Sequence, residues 1–242
     1  MSDEDDTPRV AFFRPDDARA ERAKTRARQR GLVPLSDPLL ETVPTGATPR
    51  TDAGFVVLTS VTGVEIAADD IRGSDATVCA IGPKTAEALR EADVEVDVVP
   101  DAYTSTGLVE ELTGRVDGAR VEVARSDHGS DELIDGLFDA GAYVHETVLY
   151  GLRRPEGGGE ETARALEDGT VDAVLFTSSL TVEYLVDALE ETGVGVTALD
   201  GVGVYAIGEP TRRTAESVGI EVDGVPEKET FESLLETAED GV

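Results

Sequence analysis

At 242 residues, 40% of them hydrophobic, the chain is long enough for one large or two small domains, each with a core of its own. It carries 51 acids against 21 bases, a formal net charge of −30, which argues against general affinity for nucleic acid or anionic membranes, since both need basic surface. No apolar run is long enough to span a bilayer, and the start MSDEDD lacks the apolar stretch of a secretion signal, so a cytoplasmic location is expected. The acids are spread through periodic patterns rather than gathered in blocks. We read them as surface adaptation to a salt-rich interior, where repulsion is screened over about 3 Å at 1 M salt. The single cysteine, Cys79, excludes an internal disulfide and reads as a small core residue. His128 and His145 have no second histidine or cysteine at ligand spacing, so no metal site is expected.

In chain order, residues 1–8 read as a disordered tail. Val10–Phe13 is a short strand ending at Arg14-Pro15, and a helix is predicted over Asp16–Arg30, stopped by Gly31. Arg19, Arg22, Arg26 and Arg30 form one stripe on that helix, read as a solvated face balanced by acids. Pro34–Pro44 has three prolines and reads as an extended linker. Phe55–Leu58 is a buried strand, with Ser60 placed to cap a helix from Val61. After a strand–helix–strand unit at 78–100 come a loop, Asp101–Thr106, and a helix carrying Leu108 and Leu112. Val121–Ala124 is a strand ending at Arg125. Ser130 caps a helix with an apolar face of Leu133, Ile134, Leu137 and Phe138, which Gly141 ends. Tyr143–Tyr150 is a strand, Gly151–Pro155 leads back across, and Gly157–Gly159 reads as a flexible loop. A helix near Thr162–Glu167, a strand Val171–Phe176, a helix Thr181–Glu190 and a final helix with Phe231, Leu234, Leu235 and Ala238 complete the pattern.

The stretch VCAIGPKTAEALREADVEVDVVP at 78–100 returns at 204–226 as VYAIGEPTRRTAESVGIEVDGVP. One offset of 126 residues relates Ile81-Gly82 to Ile207-Gly208, Thr85 to Thr211 and Val99-Pro100 to Val225-Pro226. Repetition of a whole strand–helix–strand unit predicts two similar α/β domains, each on a parallel sheet. The boundaries expected are residues 1–36 with 153–242 for the first domain and 44–147 for the second. Linkers 37–43 and 148–152 would then run side by side as a two-strand bridge, with a ligand cleft between the domains.

Small hydroxyls mark the strand carboxyl ends: Thr59-Ser60 and Thr177-Ser178-Ser179, with Thr85 and Thr211 in the first turns of helices that follow Gly82 and Gly208. In open parallel sheets that edge binds ligands, and helix N-termini there offer free N–H groups to anions. The same hydroxyls also serve as helix caps. Gly201–Ala206 spells GxGxxA but precedes a strand, so it is not a dinucleotide fingerprint. Tyr150, at the end of its strand, is a hydrogen-bond donor and weak acid as well as a packing aromatic.

This pattern resembles the uroporphyrinogen-III synthase family. The matching residues are Arg14-Pro15, Asp37-Pro38-Leu39-Leu40 with Pro44, Val57-Leu58-Thr59-Ser60, AIGPKTAEAL at 80–89 and Val99-Pro100 with Ser105 to Leu108. They continue with Gly141-Ala142, Val148-Leu149-Tyr150, Leu175-Phe176-Thr177-Ser178, AIGEPT at 206–211, and Pro226 with Leu234. The resemblance implies a lyase that cyclises hydroxymethylbilane with loss of water and inversion of the last ring, in haem, sirohaem or cobalamin synthesis; a monomer is expected, since nothing in the sequence suggests more. It implies no cofactor, and a transient contact with the deaminase that supplies the substrate. By the same resemblance Tyr150 assists departure of the hydroxyl, and Thr59, Ser60, Thr85, Ser178, Ser179 and Thr211 contact substrate. Gly82, Ser105 and Gly208 fall beside them. Arg14 and Arg125, with Arg153 or Arg212, are expected to offset the charge of a substrate with eight carboxylates. The alternative reading is a non-catalytic two-domain small-anion binding or sensor protein.

Overall fold

The computed structural model describes residues 7–241; of the expected tail, residues 1–6 lie outside the described residues. The chain forms two units, one from residues up to Glu41 together with those from Arg153 on, the other Thr42–Leu152. Each is an α/β layer structure on its own sheet.

In the first unit β1 (Arg9–Phe12), β2 (Val33–Ser36), β8 (Ala173–Phe176) and β9 (Gly203–Ala206) form a parallel sheet in the order β2-β1-β8-β9. Alternation along each strand divides its side chains between two faces. Val10, Phe12, Leu175 and Tyr205 pack under α1 (Ala18–Gln29) and α9 (Phe231–Glu239). Ala11, Val174, Phe176 and Val204 face α6 (Glu160–Glu167), α7 (Ser179–Thr192) and α8 (Glu209–Ser217). The Phe12 and Phe231 rings meet edge to face at 5.3 Å, which locks α9 against β1.

The second unit orders its strands β3-β7-β6-β4-β5, with β3 (Glu41–Pro44), β4 (Phe55–Leu58), β5 (Thr77–Ala80), β6 (Arg120–Ser126) and β7 (Tyr143–Arg153). The pairs β7–β6, β6–β4 and β4–β5 are parallel. Val56, Leu58, Val78 and Ala80 pack under α2 (Val61–Ile71) and α3 (Pro83–Glu91). On the other face Val57, Cys79, Val121 and Val123 meet α4 (Ser105–Leu112) and α5 (Asp131–Asp139). Cys79 is fully buried, and burial pushes its thiol up to about 12, which leaves it inert as a nucleophile.

The repeat survives in detail. Val78 N–H donates to the Asp97 carboxylate at 2.8 Å and Val204 N–H to Asp223 at 2.8 Å, each pair 126 residues from the other. The second strand expected in each unit is a single bridge, Cys79 to Val98 and Tyr205 to Gly224. Thr104 and Thr230 then cap α4 and α9.

Several expectations are corrected. Val33–Ser36 is not linker but an edge strand on β1, a position that tolerates Pro34. Asp37 and Leu39 are buried in the first unit: the Asp37 carboxylate accepts the Gly159 and Thr162 N–H groups at 3.0 and 2.8 Å. For that reason Gly157–Gly159 is no flexible loop. A Cβ on Gly158 would stand 2.5 Å from the Pro38 carbonyl oxygen, and one on Gly159, at φ +87°, 2.7 Å from Leu39 Cδ2. Strand β7 does not stop at Tyr150 but runs on to Arg153. Phe138 is not part of the apolar face of α5; it is 69% exposed. The arginine stripe of α1 is balanced by acids as expected, with Arg26 paired to Glu232 and Arg30 to Glu236 and Glu239 of α9. Among the described residues no helix is long and apolar enough to cross a membrane.

Candidate functional site

In the second unit the carboxyl ends of β4 and β5 lie side by side, each followed by a helix. Ser60 caps α2, its Oγ accepting the Gly63 N–H at 2.9 Å from an extended backbone. Thr59 precedes it, half-buried. Gly82 occupies the same position for α3 but has no side chain to cap with, so the first-turn N–H groups of α3 have no side-chain acceptor from their own cap residue. Pro83 opens that helix and Thr85 is buried in its first turn. Ser105 is the first residue of α4; the cap itself is Thr104, whose Oγ1 accepts the Gly107 N–H at 3.0 Å.

Tyr150 reaches this edge from β7, across β6. Its hydroxyl lies 2.9 Å from Ser60 Oγ, and the side chain is 7% exposed. A break in strand register positions it. Val148 pairs with Arg125 and Tyr150 with Ser126, so Leu149 is an extra residue. Leu149 and Tyr150 consequently both enter the core cluster of Val56, Leu58 and Val64, which consecutive residues of a regular strand cannot do. Ser60 Oγ accepts from Gly63 and keeps a hydrogen of its own, so either hydroxyl can donate across the contact; with Ser60 as donor, the phenol hydrogen is left for a ligand.

Arg125 does not join this group. It is 3% exposed, its Nε 2.6 Å from Glu146 Oε1, and it also donates to the Ser130 carbonyl. Gly129 makes room for it, since a Cβ there would stand 2.5 Å from Arg125 Cδ. Its charge is committed inside the unit.

The first unit repeats the edge with different occupants. Ser178 caps α7 in a closed capping box: Thr181 N–H donates to Ser178 Oγ, and Ser178 N–H to Thr181 Oγ1, both at 3.3 Å. Ser179 Oγ accepts the Thr214 hydroxyl at 2.8 Å. Gly208 takes the cap position of α8 without a side-chain cap, as Gly82 does for α3, and Thr211 is buried in the first turn. Arg14 follows β1 with its guanidinium carbon 4.5 Å above the centre of the Phe231 ring. Burial lowers its pKa, and the positive charges of Arg19, Arg26 and Arg22 lower it further against the pull of Asp17. Its Nε is buried without a partner. Arg212 is held by Glu209 and Glu216 on its own helix.

Three features had escaped the sequence reading. The register break before Tyr150 leaves no compositional mark. Glu122, fully buried on β6, lies 2.7 Å through Oε2 from His145 Nδ1, while its Oε1 has no partner; an isolated glutamate in an apolar run gave no sign of that pairing. At the Gly82 and Gly208 positions the neighbouring side chains differ, Tyr103 against Gly82 and Glu229 against Gly208. The 126-residue offset, extended three residues beyond Pro100, would have exposed this.

The class so defined is a two-unit parallel α/β protein whose strand ends carry hydroxyls, helix N-termini and one positioned tyrosine. A model of the family uroporphyrinogen-III synthase HemD matches residues 21–236. A protein of Methanothermobacter thermautotrophicus that carries the provisional name uroporphyrinogen-III synthase is 39% identical over 165 residues, 66% of this chain and 65% of that relative. An Archaeoglobus fulgidus protein with the same provisional name is 33% identical over 162 residues, 66% of this chain and 67% of its own. The chain thus aligns with about two thirds of the length of these archaeal relatives. The crystal structure of a mutant uroporphyrinogen III synthase from Thermus thermophilus superposes with a TM-score of 0.66, covering 96% of this chain and 98% of that one; at 23% identity the likeness speaks to the fold. The chain belongs to the uroporphyrinogen-III synthase family.

Proposed function

We propose that the chain is a cyclising lyase that closes hydroxymethylbilane to uroporphyrinogen III in tetrapyrrole synthesis. Family membership supports the reaction. The observation that carries the mechanism is the 2.9 Å contact between Tyr150 Oη and Ser60 Oγ at the start of α2. The pyrrole nitrogen at the hydroxymethyl end pushes its electron pair toward the ring carbon, and the C–O bond breaks. Tyr150 donates its proton to the departing hydroxyl, which leaves as water. The tyrosinate is held meanwhile by the Ser60 O–H and the positive end of α2. The azafulvene cation so formed is attacked by the substituted carbon of the last ring, and a spiro intermediate forms. Its fragmentation and reclosure invert that ring, and the proton finally released from carbon returns to Tyr150. Protons therefore balance, with water as the only product besides the macrocycle.

Most of the barrier reduction is assigned to positioning, for which well-oriented groups contribute roughly 7–11 kcal/mol. No cofactor is required by these steps. Thr59, Gly82, Thr85 and Ser105 in one unit, and Arg14, Ser178 and Ser179 in the other, are the proposed ligands of substrate carboxylates; Gly208 and Thr211 are left out because the Glu229 carboxylate stands against Gly208. Arg125 is left out because Glu146 and Ser130 hold it. A cytoplasmic monomer that takes its substrate from a deaminase in transient contact fits this reading.

The test is isomer analysis in molar potassium chloride, with hydroxymethylbilane generated in place, the product oxidised and porphyrin isomers I and III separated. Predominance of isomer III is expected; isomer I alone from folded protein would overturn the reading. KM should fall or hold as salt rises, because screening relieves repulsion between a chain of charge −30 and a polyanion.

A further inference from the structure

Tyr103 is 60% exposed at the carboxyl edge of the second unit's sheet. Exposure of a lone aromatic on a loose loop is ordinary. This turn is not loose. Thr104 N–H donates to the Ala102 carbonyl at 2.8 Å, and Thr104 caps α4. A Cβ on Gly107 would fall 2.2 Å from the Ala102 oxygen, so the absence of a side chain there lets the turn close on the helix. The Tyr103 side chain then rests on Gly82, where an added Cβ would stand 3.2 Å from Tyr103 Cβ and 3.5 Å from Cγ. A fixed ring therefore stands beside the uncapped first turn of α3, one strand over from Ser60. Its hydroxyl has no hydrogen-bond partner among the described residues.

The repeat supplies the control. In the first unit the same turn recurs, with Thr230 N–H donating to the Lys228 carbonyl at 2.7 Å. The residue 126 positions after Tyr103 is Glu229, whose Oε1 lies 2.4 Å from where a Cβ on Gly208 would be. One backbone module thus presents a neutral aromatic ring to α3 and a carboxylate to α8. An incoming carboxylate is repelled at the second position and not at the first.

We propose that Tyr103 is a positioning residue, a platform on which one pyrrole of the substrate stacks while a carboxylate carried by that pyrrole reaches the first-turn N–H groups of α3. The inference rests on the cyclase reading above and adds the ring contact to it. Pyrrole is electron-rich and planar, and offset stacking on a tyrosine face suits it. The contact is made before and during reaction alike, so its loss acts on KM and not on kcat.

The experiment is steady-state kinetics of isomer III formation for the wild-type chain and for Tyr103→Ala, Tyr103→Leu, Tyr103→Phe and Tyr103→Glu, each with a melting curve. Tyr103→Ala and Tyr103→Leu should raise KM about tenfold, in line with aromatic stacking on a heterocycle, with kcat held within about twofold. Tyr103→Phe should keep the wild-type KM, because the ring and not the hydroxyl makes the contact. Tyr103→Glu, which copies the first unit, should raise KM most. A wild-type KM in the alanine and leucine variants, or a phenylalanine variant as impaired as they are, would overturn the platform alone. A wild-type chain that forms no isomer III would overturn the cyclase reading and the platform with it. Should the alanine variant fail to fold, the leucine and phenylalanine variants decide.

Discussion

The two units share a scaffold and differ in what they mount on it. Bridges at Val98 and Gly224, aspartates at 97 and 223 and threonine caps at 104 and 230 coincide at one offset. The strand-end groups do not. In the first unit Ser178 is closed into a box with Thr181, Ser179 is taken by Thr214, and Glu229 covers Gly208. In the second, Ser60 is paired with a tyrosine delivered by a register break. Hydroxyls of the same type at equivalent places thus cap helices in both units, and in the second one of them also meets a tyrosine. On the proposed reading, bond-making chemistry belongs with the second unit.

The largest effect is expected where the units differ most. Tyr150→Phe keeps the ring in its core cluster and removes only the proton donor. It should lower kcat about 100-fold, near the low end for general acid catalysis because the substrate drives much of its own ionisation, and leave KM within a few-fold. Steady-state isomer III assays read both constants. An unchanged kcat would remove Tyr150 from the acid role and the asymmetry between units with it.

Where the units agree, variants should agree. Asp97→Ala and Asp223→Ala each remove a carboxylate that accepts a backbone N–H at 2.8 Å on the first strand of the repeat. Each should destabilise by about 1–2 kcal/mol, seen as a shift in denaturant midpoint. Unequal losses would mean that the coincidence of geometry conceals unequal packing.

A smaller effect separates cap from catalyst. Ser60→Ala and Ser178→Ala each lose an N-cap and should destabilise by about 1 kcal/mol. Only Ser60→Ala should also lower kcat, because it alone takes a hydrogen-bond partner from Tyr150. Parallel losses of kcat in both would assign chemistry to the first unit as well.

What the sequence reading could reach follows from the range of the interactions. Phe55–Leu58, the cap at Ser60 and the buried set Phe231, Leu234, Leu235 and Ala238 are local patterns, and they are legible. The repeat made the two-sheet plan legible too. The Gly157–Gly159 turn was misread because its cause, Asp37, lies 122 residues away from Gly159. The burial of Arg125 was not legible, because the Glu146 that holds it lies on the neighbouring strand, 21 residues away. The register break at Tyr150 arises in the pairing of β7 with β6 and has no local signature.

The first helices of the units offer the finest distinction. Ser60, which caps α2, does not titrate near neutral or acid pH, but α1 is capped by Asp17, which accepts the Arg19 and Ala20 N–H groups at 2.7 and 3.2 Å and the Arg19 Nε–H at 2.8 Å. Burial alone would raise the Asp17 carboxyl; the hydrogen bonds from Arg19 and Ala20 outweigh it and hold the pKa below its ordinary value. A carboxyl depressed on folding stabilises above its unfolded pKa of about 3.9, and that contribution is lost as pH falls through the folded value. Asp17→Ser keeps a cap but removes the titration. It should leave stability near pH 7 within about 1 kcal/mol and flatten the decline below pH 4, measured by denaturant midpoints across that range. The same slope in variant and wild type would place the acid sensitivity elsewhere.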